Sequence, residues 1–242
     1  MVVGYLAGDA PARDPSDVAA LNQRLLIELD DAKYPGLALQ VEDHETTMRW
    51  RRGRVPARRV AASLAVWTED GDVVDEITAI VADVWTDFAV CAVTETVPRW
   101  RTDRATSATR PQPGVIVTSL LYRKPSMTHH EFYVHWRDVH QPMSLRIHPQ
   151  HTYVRNLVTR TPAPADPQFD APRFDAVCEE GFASVDDVLE PSRFYGADLT
   201  DARRDEGWPP NAKTIGGDVV LFLDTDHTVA TIMREYRLRD FR

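Results

Sequence analysis

The apolar periods along this chain run through one cycle of elements twice, which few architectures can accommodate. The first cycle opens with an alternating strand at residues 2–7. A helix follows from about Ser16 to Asp31, with Val18, Leu21, Leu25, Ile27 and Leu29 near helical spacing and Ser16 as its N-cap. A "YPG" turn leads into a strand at 37–42, and an arginine-rich loop leads into another at 60–67. A second helix begins near Gly71 and carries Val74, Ile77, Ile80, Val81 and Val84, and a strand at 88–96 ends the cycle. From Pro111 the order resumes: strand 114–122, helix 128–143, strands 151–160 and 174–183, a helix from about Val185, and strand 219–224. Corresponding first strands and first helices lie about 112 residues apart, so the spacing reads as an internal duplication. The boundary falls in "RATSATRPQP", giving halves at 1–106 and 112–242.

A β-α-β-β-α-β order is the ferredoxin-like plan, an antiparallel sheet with both helices on one face. The other face also has an apolar pattern and must be covered. The expected fold is therefore α+β: two fused ferredoxin-like halves packed sheet to sheet as a pseudo-dimeric barrel.

The net charge of −9 argues against nucleic acid as a partner, since phosphate binding needs a positive face. One segment runs the other way: "MRWRRGRVPARR", residues 48–59, surrounds Trp50 with six arginines and reads as a solvated loop or partner surface. Cys91 and Cys178 sit in alternating apolar runs, as buried thiols rather than a disulfide. No apolar run approaches the roughly 20 residues of a membrane helix. The N-terminal segment shows no basic leader, so the expectation is a cytoplasmic chain.

The densest chemistry lies in "THHEFYVHWRDVHQPM", residues 128–143. Thr128 and Glu131 fit a capping box. Phe132, Trp136, Val139 and Met143 form one stripe, with His140 and His135 on its two borders, about 140° apart on an α-helix. "HEFYVH" has one residue too many for the zinc motif, and His130 and His135 diverge for the same reason, so no metal is expected. Pro142 cannot donate to the carbonyl of Asp138, which predicts a helix end just after His140. There the helix dipole would favour protonated imidazole and raise its basicity, which suits proton transfer to or from an organic ligand.

The string "KPSMTHHEFYVHWRDVHQPM" closely resembles the signature of the EthD-domain family. Lys124, Pro125, Met127, Thr128, Glu131, Phe132, Trp136, His140, Pro142 and Met143 occupy its fixed positions. "FDAVCEEGFAS", residues 174–184, resembles a further family strand through Asp175 and Glu179, with Ala176 and Gly181 departing from it. The first half shares only the order of elements and reads as a degenerate repeat. The resemblance implies the dimeric α+β barrel superfamily, which includes cofactor-independent oxygenases, cyclases, lactone isomerases and haem enzymes. It also implies His140 as general acid/base and Glu179 as its orienting carboxylate; His135, which the family pattern does not fix, joins the expected catalytic set as a residue particular to this sequence. Trp136, Tyr122, Tyr153 and Asp175 are the expected substrate contacts.

From these residues the expected function is a cofactor-independent lyase-type enzyme acting by decarboxylation, dehydration or cyclisation on an aromatic or polyketide-like molecule. Two alternatives stand beside it: an oxygen-dependent monooxygenase of an aromatic, with or without haem, and a non-catalytic small-molecule-binding module. The expected partners are that small molecule and, beyond the intrachain pairing, a second copy in a homodimer. Residues 190–217 are expected to act as a lid or to cover the sheet edge, and the tail from Val229 to dock on the barrel or on a second chain.

Overall fold

In the computed structural model, residues 2–7, 15–43, 46, 58–68, 73–82, 88–160, 174–196 and 210–240 are described. The arginine-rich loop falls almost wholly outside them, as does the middle of the 190–217 segment.

In the first half, β1 (Val2–Ala7) leads to α1 (Pro15–Glu28), β2 (Gly36–Glu42), β3 (Arg58–Trp67) and α2 (Val74–Ala82). A last strand is broken at Cys91 into β4 (Phe88–Val90) and β5 (Ala92–Arg99). The second half begins with β6 (Val115–Leu121). A three-part helix follows: α3 (His129–His135), a π-helical turn (Trp136–His140) and α4 (Gln141–Ile147). Then come β7 (Thr152–Arg160), β8 (Ala176–Phe182), the short α5 (Asp186–Leu189) and α6 (Pro191–Phe194), α7 (Pro210–Phe222) and β9 (Val229–Arg239).

All strand pairs are antiparallel and form one sheet in the order β4-β1-β3-β2-β9-β6-β8-β7-β5. Its two edge strands, β4 and β5, are separated in sequence by Cys91 alone, so the sheet must curl until its edges approach. The halves are thus parts of one continuous sheet rather than two stacked sheets, joined by the β2–β9 and β5–β7 ladders.

The two faces have different chemistry because side chains alternate along each strand. Leu21, Leu25, Leu37, Leu39, Leu64 and Ile77 bury the first pair of helices against one face. In the second half Phe132, Trp136, Tyr153, Cys178 and Phe222 do the same. The opposite face is mixed. Val60, Leu120, Val177 and Met233 pack there, and Gln40, Glu179, Glu235 and Arg237 are buried on the strands that bound it.

The sequence reading misplaces two elements. Residues 219–224, expected as the closing strand, belong mainly to the end of α7, and the strand is the tail, Val229–Arg239. A short apolar run such as "VVLFL" fits either element. The tail does not read as a strand in the sequence because its inward positions are charged, Glu235 at 7% and Arg237 at 1% exposure.

Candidate active site

The helix over residues 129–147 starts as its sequence dictates. Thr128 accepts from the Glu131 N–H, and the Glu131 carboxylate accepts from the Thr128 N–H, so two free amides are satisfied reciprocally. Its continuation differs from expectation. The helix runs past Pro142 to Ile147 by widening one turn, in which the Gln141 N–H donates to the Trp136 carbonyl. A wider turn relieves the clash between a proline ring and the carbonyl four residues earlier. His140 is therefore inside a helix, and the dipole argument for raised basicity does not apply.

The wide turn also decides where the histidines point. Residues five apart diverge by about 140° on an α-helix. Here His135 and His140 flank the π turn and converge on one carboxylate. His135 Nε2 lies 2.8 Å from Asp218 Oδ1, and His140 Nδ1 lies 2.8 Å from Asp218 Oδ2. A carboxylate only accepts, so each imidazole donates, and His140 is left with Nε2 as its proton acceptor. Phe222, one turn after Asp218 on α7, lies under both rings at 4.9 and 5.0 Å.

Burial is the largest influence on His140 and pulls its basicity below the ordinary histidine value; Asp218 and Glu180 oppose it. The imidazole is thus held neutral and oriented, which is the state of a general base. The His135 and His140 side chains keep 21% and 14% exposure, so the pair is reachable from the helix side, whereas Asp218 keeps 6%.

Glu179 is not the partner of His140. The neighbouring Glu180 faces the helices, where Ser144 donates to it, so Glu179 faces the other side of the sheet. It accepts from Gln40 Nε2 at 2.8 Å and from Asn156 Nδ2 at 3.0 Å, while Thr118 donates to Gln40 Oε1 at 2.5 Å. Burial, reinforced by Glu235, pushes the Glu179 carboxyl up to about 7.

The expected substrate contacts are dispersed. Trp136 and Tyr153 are each 1% exposed, and the indole donates to the phenol oxygen at 3.0 Å, so they form core beneath the helix. Tyr122 packs instead against the cluster on the opposite face. Asp175 accepts from the Arg123 backbone at 2.9 Å and its guanidinium at 3.0 Å, which anchors the strand end rather than a ligand. At Gly181, which departs from the family strand, a Cβ would come within 2.8 Å of the His151 ring.

The residue missed from sequence is Asp218. Its signal was present: a lone acid between "GG" and the apolar run "VVLFL", where an unpartnered carboxylate would be costly. Among the described residues no group of three or more His, Cys, Asp or Glu is placed to hold a metal ion. Among them, too, no helix is long and apolar enough to cross a membrane.

The sheet and its helices define a mixed α/β protein with a curled antiparallel sheet, similar to the dimeric α+β barrel. The EthD domain model matches residues 124–191, from the helix signature through β8, so the resemblance seen in the sequence holds for this segment. Among solved structures, an anthrone oxidase-like protein shares the fold with a TM-score of 0.55 at 10% identity, over 99% of this chain and 93% of that one. A "putative monooxygenase from Lactobacillus acidophilus NCFM" has a TM-score of 0.49 at 9% identity, over 98% and 95%. No curated protein matches the sequence.

Proposed function

We propose that this chain is an enzyme that oxidises an aromatic small molecule with molecular oxygen, using His140 as the base. The lyase-type reading is withdrawn: a solved structure that shares the fold along almost the whole chain is named for an oxidase-like activity, not for decarboxylation, dehydration or cyclisation. The observation that carries the proposal is Asp218 holding both imidazoles while burial keeps His140 neutral.

A base in that state suits an aromatic substrate with a weakly acidic hydrogen, such as a phenol or the CH2 of an anthrone-type ketone. Removing that proton leaves an electron-rich anion that reacts with oxygen directly. For the CH2 case the carbanion adds O2 to give a peroxide, the remaining C–H proton is lost as the O–O bond breaks, and the departing hydroxide is protonated to water, so CH2 and O2 become C=O and H2O. His140 Nε2 takes the first proton and returns one to the departing oxygen. Asp218 stabilises the transient imidazolium and fixes its tautomer. His135 holds the second Asp218 oxygen, which keeps the carboxylate from rotating.

The repeated strand order and the two seams support the finer reading of the fold, a pseudo-dimeric barrel of halves 1–106 and 112–242. Oxygen uptake with anthrone tests the function. The native chain consumes oxygen, and His140→Ala lowers the rate by about 100-fold or more while leaving the fold intact. Full uptake by that variant would remove His140 from the reaction.

A further inference from the structure

Four large apolar side chains stand exposed among the described residues, and three of them lie on the two elements that bring the histidines and Asp218 together: Val139 on the π turn, and Val220 and Leu221 on α7. The fourth, Ile27, is on α1 in the first half. A lone exposed apolar side chain is ordinary, whereas a group of them marks a binding surface. Helical phase places two of the three beside the pair. At about 100° per residue, the buried Ile215 and Phe222 lie on one side of Asp218, and Leu221 and Gly217 on the other. Asp218 therefore marks the border between the buried and open faces of α7, and Leu221, three residues on, is 59% exposed at that border. Val139 precedes His140, follows His135 by about one turn and is 44% exposed.

The partly exposed imidazoles thus have an apolar side chain on each flank and the buried Phe222 ring beneath them. A Cβ at Gly217 would meet no atom within 4 Å, so the α7 backbone beside Leu221 is open to close approach. Packed helices stand about 8–10 Å apart, a span that a single ring does not bridge and a fused-ring system does. A shallow surface that is apolar at both ends selects a flat, uncharged molecule. We propose that Val139 and Leu221 are the substrate contacts of the His140 site, and that a planar molecule of three fused rings lies across the two helices with its acidic hydrogen at His140 Nε2. The proposal rests on the oxidation reading for the role of His140, but its binding test needs no turnover.

NMR titration of the intact chain with 9-fluorenone and with benzophenone tests the surface. Fluorenone is a planar three-ring ketone with no acidic hydrogen, and benzophenone lacks only the bond that fuses and flattens its rings. Fluorenone should shift the Val139 and Leu221 methyl signals saturably, and benzophenone should bind about tenfold more weakly or less. Val139→Ser and Leu221→Ser, both at exposed positions that the fold does not need, should each weaken fluorenone by about tenfold. Each should raise the KM for anthrone by a similar factor with little change in kcat. Ile27→Ser should behave like the native chain. The proposal is overturned by the absence of saturable shifts at Val139 and Leu221, by equal binding of the two ketones, by native affinity in both serine variants, or by an equal loss in Ile27→Ser. Fluorenone binding with the expected losses but no oxygen uptake would uphold the surface and remove the oxidation reading, whereas oxygen uptake with a native KM in both variants would remove the surface alone.

Discussion

Burial moves the proton affinities of Glu179 and His140 in opposite directions, and each shift has a measurable consequence. A raised carboxyl contributes stability that is fully present below its ordinary 4.5 and is lost as pH rises through about 7. The size of that shift corresponds to a loss on the order of 3 kcal/mol. Urea unfolding at pH 5 and pH 8 should therefore show a fall in stability that Glu179→Gln largely removes. An equal fall in the variant would mean that Glu179 is ionised throughout. His140 has the opposite sign: its lowered affinity contributes stability above 6.5 that is lost on acidification. The acid limb of the pH–rate profile should accordingly lie below 6.5, and a limb above it would contradict a buried neutral base. The histidines were legible in the sequence because helical spacing and the family signature both single them out. Asp218 was not, because "TIGGDVVLF" follows a long irregular segment and gives no helical phase to place the acid opposite them.

At the scale of the element, the π turn is the feature on which the site depends. Pro142 could be seen as a conflict in the helix, but sequence alone could not say whether the helix would end there or widen. The structure widens it, and that choice turns two divergent histidines into a pair. Pro142→Ala restores a donor and removes the ring, so the turn should relax toward α geometry and carry His140 away from Asp218. Imidazole NMR would then show the His140 Nδ1 signal changed by loss of its hydrogen bond to Asp218, with oxygen uptake reduced and thermal stability held or raised. An unchanged imidazole spectrum and rate would show that the turn is set by packing against α7 instead. The misread tail has a related cause: β9 buries charge on one face, so its alternation does not look like a core strand.

Across the whole molecule, the doubled order of strands and helices was readable because each element has its own apolar period. The seams were not, since pairing between β2 and β9 or between β5 and β7 joins residues far apart in sequence. Gln40 of the first half bonds Glu179 of the second across this sheet. Residues 1–106 and 112–242 expressed alone should therefore expose edge strands and aggregate or self-associate, while co-expression should restore a soluble pair. Two monomeric, independently stable halves would contradict a shared sheet.

The central claim is that Asp218 orients a neutral His140 as the base for oxygen-dependent oxidation. Oxygen consumption with anthrone, measured for the native chain and Asp218→Asn, tests it most directly. Asparagine keeps the shape but can accept at only one of the two atoms that hold the imidazoles. The account predicts a fall of about 100-fold or more in kcat with little change in KM. A variant that retains native kcat would contradict it.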